Sequence, residues 1–247
     1  MRLAKSWIIA SKDFAIFRKK RNVIYSILIL PFLVSVLFPA VIAFAGRSGG
    51  RGIPATQLPI LLPAFSFFYL ILAGFLPTSI ASYSIVGEKV EKSLEPLLAT
   101  PTTDGEILLG KGISAFLPPI AAILVSSAVF MALMDLVTRD KLGYDFFPNW
   151  NAGVVLFLMV PLATILSVEW NVIISARVND VRVAAQLGAL LALPFAGIYV
   201  AGEVNLIPLG DPTNLLLVAG GLALMDALLL YVARATFRRE EIMTKWK

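Results

Sequence analysis

Six long apolar stretches dominate this 247-residue chain and fix what it can fold into. They lie at roughly 23–45, 60–83, 113–137, 152–175, 183–201 and 213–233. A helix needs about 20 apolar residues to cross a bilayer. Five of the stretches exceed that length and the fifth in order is the shortest. None alternates apolar and polar residues as barrel strands do, and backbone in lipid must satisfy its own hydrogen bonds, so the form expected is helix. Pro31, Pro77, Pro118, Pro161 and Pro194 fall inside these stretches, where membrane helices tolerate them better than soluble ones. Charged residues make up 15% of the chain, against about a quarter in a soluble domain. The fold class expected is an all-α membrane protein of six transmembrane helices. It forms one domain over 1–247, with connecting loops too short for a separate soluble domain and no internal repeat.

Lysine and arginine set the orientation. The first 21 residues, the loop after the second stretch, the loop after the fourth and the C-terminal tail together hold 17 of them, and the opposite side holds 4. Both termini are therefore expected in the cytoplasm of a multi-pass protein of the cell membrane. The net charge of +5 is accounted for by this asymmetry and by lipid headgroups, not by nucleic acid.

The segment 1–21 is read as an amphipathic helix lying along the cytoplasmic interface. Leu3, Trp7, Ile9 or Ala10, Phe14 and Phe17 share one broad face, with Lys5, Lys12, Arg18 and Lys19 largely opposite. The apolar run that follows ends in Ala-Phe-Ala-Gly at 43–46, which looks like a signal-peptidase site. A signal peptide has a core of about 7–15 apolar residues, and this run is longer, so an uncleaved first span is expected.

The chain has no cysteine and no histidine. Disulfides, thiolate chemistry, Cys/His zinc sites and histidine acid–base catalysis are excluded. One apparent nucleotide motif also fails. Gly105, four residues, Gly110 and Lys111 have the spacing of a phosphate-binding loop, but Gly112 stands where a magnesium-binding Ser or Thr is required, and Ile107, Leu108 and Leu109 are bulky. The stretch is better read as a helix start, capped by Thr102 or Thr103 with Asp104 and Glu106 in the first turn.

Chemistry is most legible between the second and third stretches, in Gly87–Lys111. Glu88, Glu91, Lys92 and Glu95 recur at i, i+3, i+4 and i+7 and form a charged helical face. Val90, Leu94, Leu97 and Leu98 form an apolar one. An amphipathic helix below a membrane, with nothing of its own chain to pack on, suggests a docking surface.

This segment, EKVEKSLEPLLATPTTDGEILLGK, resembles the signature of type-2 ATP-binding cassette (ABC) permeases, through Ser93, Leu94, Glu95, Leu97, Leu98, Thr100, Pro101 and the Glu106–Lys111 entry to the next span. The stretch 174–188, ISARVNDVRVAAQLG, is similar to the family's cytoplasmic turn between the fourth and fifth spans. The resemblance implies the membrane subunit of an ABC exporter. In that family the subunit pairs with an identical or homologous permease and recruits two ATPase subunits. ATP and magnesium belong to those partners, so this chain carries no cofactor and is no enzyme by itself. The loop 87–111 would be the coupling helix, with Glu88, Glu91, Lys92, Glu95, Leu97 and Leu98 docking on the ATPase. Arg177, Asn179, Asp180 and Arg182 would make a second contact. A self-sufficient secondary transporter or channel is the alternative, but such proteins usually carry an inverted repeat. An intramembrane aspartyl protease fails because Asp145 and Asp211 fall in outer loops, where water prevents two carboxyls from sharing a proton.

Three acids fall within or at the edge of spans: Asp135, Glu169 and Asp226. Asp135 and Glu169 lie near span ends and are expected to be structural, while Asp226 is deep enough to line a path or pair across a dimer. The aromatics Phe65, Phe67, Phe68, Tyr69 and Phe75 are expected to pack.

Overall fold

The computed structural model describes residues 3–19, 21–45, 53–88, 100, 102–204 and 206–236, and among them it is helical with no strand. A surface helix, α1 (Leu3–Lys19), precedes α2 (Arg21–Ala45) and α3 (Leu58–Ser82), which ends in a single π turn, Tyr83–Gly87. Next comes α4 (Asp104–Leu142). The helix α5 starts at Trp150–Val154, passes a π turn at Val155–Met159 and continues as Val160–Arg177. Then follow α6 (Val181–Ala189), α7 (Ala192–Glu203) and α8 (Pro212–Thr236). Six helical segments are long and apolar enough to cross a membrane.

The third span runs on from the helix start expected at Thr102 or Thr103, and the fifth span differs from the sequence expectation. The third span, expected over 113–137, belongs to a helix of 39 residues. At 1.5 Å per residue it is about 58 Å long, against a hydrocarbon core of about 30 Å. Its early start has a local cause. The Thr103 side chain accepts the Glu106 N–H, and the Glu106 carboxylate accepts the Thr103 N–H at 3.0 Å, which makes a full capping box. The far end closes on Gly143, whose φ of 78° lets its N–H turn back to Arg139. The fifth span is not continuous. A tight turn at Leu190–Leu191 separates α6 from α7, held by the Leu191 N–H on the Gly188 carbonyl at 3.2 Å. The ring of Phe195 on α7 lies directly over Gly74 of α3, where a Cβ would collide.

Helices α3, α4 and α5 form the centre. α2 and α1 pack on α4, α8 packs on α5, and α6 and α7 pack on α3. The main core holds Leu62, Tyr69, Phe130, Met134, Met159 and Leu215, all essentially buried. Phe65 and Phe68 stack around Phe38 with ring centroids 4.7 and 5.2 Å away, while Phe75 is partly exposed. Polar groups are bonded between helices as lipid requires. Ser35 Oγ donates to the Ser126 carbonyl at 2.7 Å and meets Tyr69 Oη at 2.7 Å. Ser167 Oγ donates to the Gly74 carbonyl, and Ser82 Oγ to Asn171. A second core, at the end carrying α1, gathers Ile9, Phe17, Ile80, Ile107 and Val172. Apolar side chains also cover the outside: Ile29, Leu33, Val36 and Phe44 on α2, and Leu217, Leu224, Leu228 and Tyr231 on α8. Such faces suit lipid or another membrane helix, not water.

Candidate functional site

The π turn that ends α3 and the capped start of α4 are the two rims of the loop 87–111, the region singled out in the sequence. Both rims are fastened to α1. Lys111, only 3% exposed, points away from solvent and places Nζ 3.1 Å from both carboxylate oxygens of Asp13 and 3.0 Å from Glu88 Oε1. Lys12 Nζ reaches the same Glu88 oxygen at 2.8 Å. Ser114 Oγ, one turn along α4, donates to Asp13 Oδ2 at 2.9 Å. The cluster joins three parts of the chain and, among the described contacts, sets two positive groups against two negative ones. Balance matters because a buried charge without its partner is strongly destabilising.

The close approach of α1 to α4 depends on Gly110. A Cβ there would lie 2.7 Å from the Ser6 carbonyl oxygen and 2.8 Å from Ile9 Cβ. The buried stripe of α1 is therefore Ser6, Ile9, Ala10, Asp13 and Phe17. Of the broad apolar face read from the sequence, Ile9, Ala10 and Phe17 are buried against the protein and Phe14 packs on the second core, while Leu3 and Trp7 remain exposed. The polar Asp13 belongs to the buried side. Apolar periodicity could not find it; the clue was that Asp13 is the only acid among the first 21 residues.

The expected site residues fall in four places. Glu91, Lys92, Glu95, Leu97 and Leu98 lie outside the described residues. Glu88 is buried and faces Lys12 and Lys111. Arg177, Asn179, Asp180 and Arg182 are exposed in the turn between α5 and α6, where Asp180 Oδ1 accepts the N–H groups of Arg182 and Val183 and so caps α6. That turn sits beside the end of α3, since Val86 packs with Ile174 and Ala184. The intramembrane acids are scattered. Asp135 Oδ1 accepts the N–H groups of Phe146 and Phe147 at 2.9 and 3.0 Å and fixes the connection to α5. Glu169 forms part of the wall of a cleft between α4, α5 and α8. Asp226 is buried on α8, and neither of its carboxylate oxygens has a hydrogen-bond partner among the described residues.

The residues of the false phosphate loop are thus accounted for. Gly110 admits α1, and the Lys111 ammonium is held by two carboxylates.

The chain matches the family model described as ABC-2 family transporter protein over residues 7–211. It belongs to the ABC-2 transporter family. Matched residues begin within α1 and end just before α8, so the α1–α4 junction and the turn after α5 both lie inside the family region. This ABC-2 chain is also similar to the ABC transporter permease protein NatB of Bacillus subtilis (strain 168), with 24% identity over 238 residues. The similarity covers 84% of this chain and 60% of that protein. The chain therefore spans less than two thirds of the length of the curated relative it matches.

Proposed function

We propose that the chain is the membrane permease subunit of an ABC exporter. It forms the translocation path and is driven by a separate ATPase that docks on the loop 87–111. Family membership and the name of the NatB relative support the permease reading. The observation that carries the coupling is the ion cluster: Glu88 and Lys111 tie both rims of the loop to α1, so force on the loop reaches α1, α3 and α4 together. Within this reading Glu91, Lys92, Glu95, Leu97 and Leu98 meet the ATPase, while Glu88 anchors the loop from behind. The exposed turn with Arg177, Asn179, Asp180 and Arg182 supplies the second contact, because it packs beside the same loop rim.

In this reading the protein lies in the cell membrane with the α1 end and both termini in the cytoplasm, an orientation supported by the lysine and arginine asymmetry. Two ATPase copies, which bind ATP and magnesium, serve a pair of permeases, either identical or homologous. The exposed apolar faces of α2 and α8 meet the second permease or lipid.

The test is co-purification of the chain with ATPase candidates encoded beside it, with and without the pair Glu91→Lys and Glu95→Lys. Retention of one ATPase, its release by the double charge reversal and an unchanged melting temperature support the docking reading. Absence of any bound ATPase, or binding indifferent to the loop, overturns it in favour of a stand-alone secondary transporter or channel.

A further inference from the structure

A second feature of the α1 end is unrelated to the loop. Between α4, α5 and α8 lies a cleft of about 320 Å³. On α4 its wall is one helix face that runs from Gly105 through Leu109 and Gly112 to Phe116, at i, i+4, i+7 and i+11. That face is about 16 Å long at 1.5 Å per residue, close to half of the ~30 Å hydrocarbon core of a bilayer. Ile165 of α5 and Leu230 of α8 complete the lining, and each is 36% exposed, so the cleft opens on the outside of the bundle.

That outside is apolar. Leu224, Leu228 and Tyr231, on the same helix as Leu230, are exposed, and all three walls belong to helices of membrane-spanning length. Glu169 also belongs to the lining, but it is engaged by a partner of its own and leaves no unpaired charge there. The space itself comes from a missing side chain, since a Cβ on Gly112 would meet no atom within 4 Å. Left empty, such walls lose their dispersion contacts on one side. A neighbouring helix is too wide to restore them. With its side chains it is about 10–12 Å across, whereas a cube of the cleft's volume has an edge of about 7 Å. A single acyl chain is narrow enough, and the surrounding bilayer supplies it.

We propose that the cleft seats one acyl chain of a phospholipid drawn from the leaflet on the α1 side. The chain lies along α4 in the lane that Gly112 leaves open, between Leu109 and Phe116, with Ile165 and Leu230 at its sides. A lipid on the outer face of α8 touches one helix, but this one touches three and ties them together beside the second core, where Ala115, Val168 and Ala233 already pack. The added contacts should hold it through purification. Neither the ATPase nor the exporter reading is needed for this seat.

The test begins with native mass spectrometry of the full-length chain in detergent. One phospholipid per chain is expected on the wild type after the loosely held lipid has been stripped. Gly112→Ala, whose Cβ has room, should retain it. Gly112→Phe should fill the lane and lower occupancy by about tenfold or more, with Leu109→Trp as the second filling variant should the first fail to fold. Dioleoyl phosphatidylglycerol added to the delipidated wild type should raise its melting temperature, as any ligand of the folded state does, and should leave the filled variant unmoved. If neither filled variant folds, a phospholipid with a diazirine on its acyl chain decides without substitution, and labels at Leu109 and Gly112 are expected. Labels confined to the outer face of α8 overturn the proposal. So does a wild type that retains no phospholipid and gains no stability from it, or retention that both filled variants leave unchanged. A different small molecule found in place of the phospholipid overturns it too, and makes the cleft a site for that molecule.

Discussion

Lys111 Nζ sits 3.1 Å from each carboxylate oxygen of Asp13, a residue 98 positions earlier in the chain, and both side chains are 3% exposed. The pair closes the gap between the surface helix α1 and the long helix α4. Removing one member upsets the charge balance of a buried cluster. Lys111→Met should therefore cost on the order of 3–5 kcal/mol. Joining it to Asp13→Asn should cost clearly less than the two single losses added together, because these groups share one network. Thermal unfolding of the four proteins in detergent measures the coupling. Added salt should leave it nearly unchanged, since screening acts on exposed charges.

At Gly110 the prediction concerns geometry instead of charge. Valine would push α1 off α4, because the space is already taken by the Ser6 carbonyl and Ile9. A destabilisation of about 1–3 kcal/mol is expected from overpacking. Limited trypsin digestion should cut after Lys5 and Lys12 faster than in the wild type, while cleavage after Lys141, at the far end of α4, stays the same.

Asp135 fixes two backbone N–H groups at the other end of the bundle through one oxygen, Oδ1. Asparagine keeps an oxygen there and should unfold close to wild type. Alanine leaves both donors without it and should cost about 1–3 kcal/mol. The difference between the two variants in a chemical denaturation series separates hydrogen bonding from charge.

Inside the bundle, Ser35 bonds to Ser126 and Tyr69 and so links α2, α3 and α4. Ser35→Ala should cost about 0.6 kcal/mol and no more than about 1.7 kcal/mol, the mean and maximum for such bonds between membrane helices. Tyr69→Phe keeps the ring packed among Phe130 and its neighbours and should cost no more. Denaturation of each variant in mixed micelles checks the order.

The fold was legible wherever one physical rule dominated. Six apolar runs gave six segments of membrane-spanning length, the fifth of them broken by a turn, and Thr102 or Thr103 with Glu106 announced the start of α4. Rules that pull against each other hid the rest. The apolar spacing of α1 picked out Ile9, Ala10 and Phe17, which are buried, but could not show that Asp13 is buried beside them against Lys111. Hydropathy carried the fifth span straight through Leu190 and Leu191, where the chain makes a turn that no glycine or proline at those two positions signals. Glu88 shares helical spacing with Glu91 and Glu95, yet spacing cannot show that Lys12 and Lys111 lie across from it. For Asp13 and Glu88, partners distant in sequence were the missing information.

The seclusion of Lys111 has a chemical consequence. Acylating reagents that modify exposed amines should label Lys141 readily and leave Lys111 intact until the protein unfolds. The lysine whose neighbours most resemble a phosphate grip is, in the folded chain, beyond the reach of any anion arriving from water.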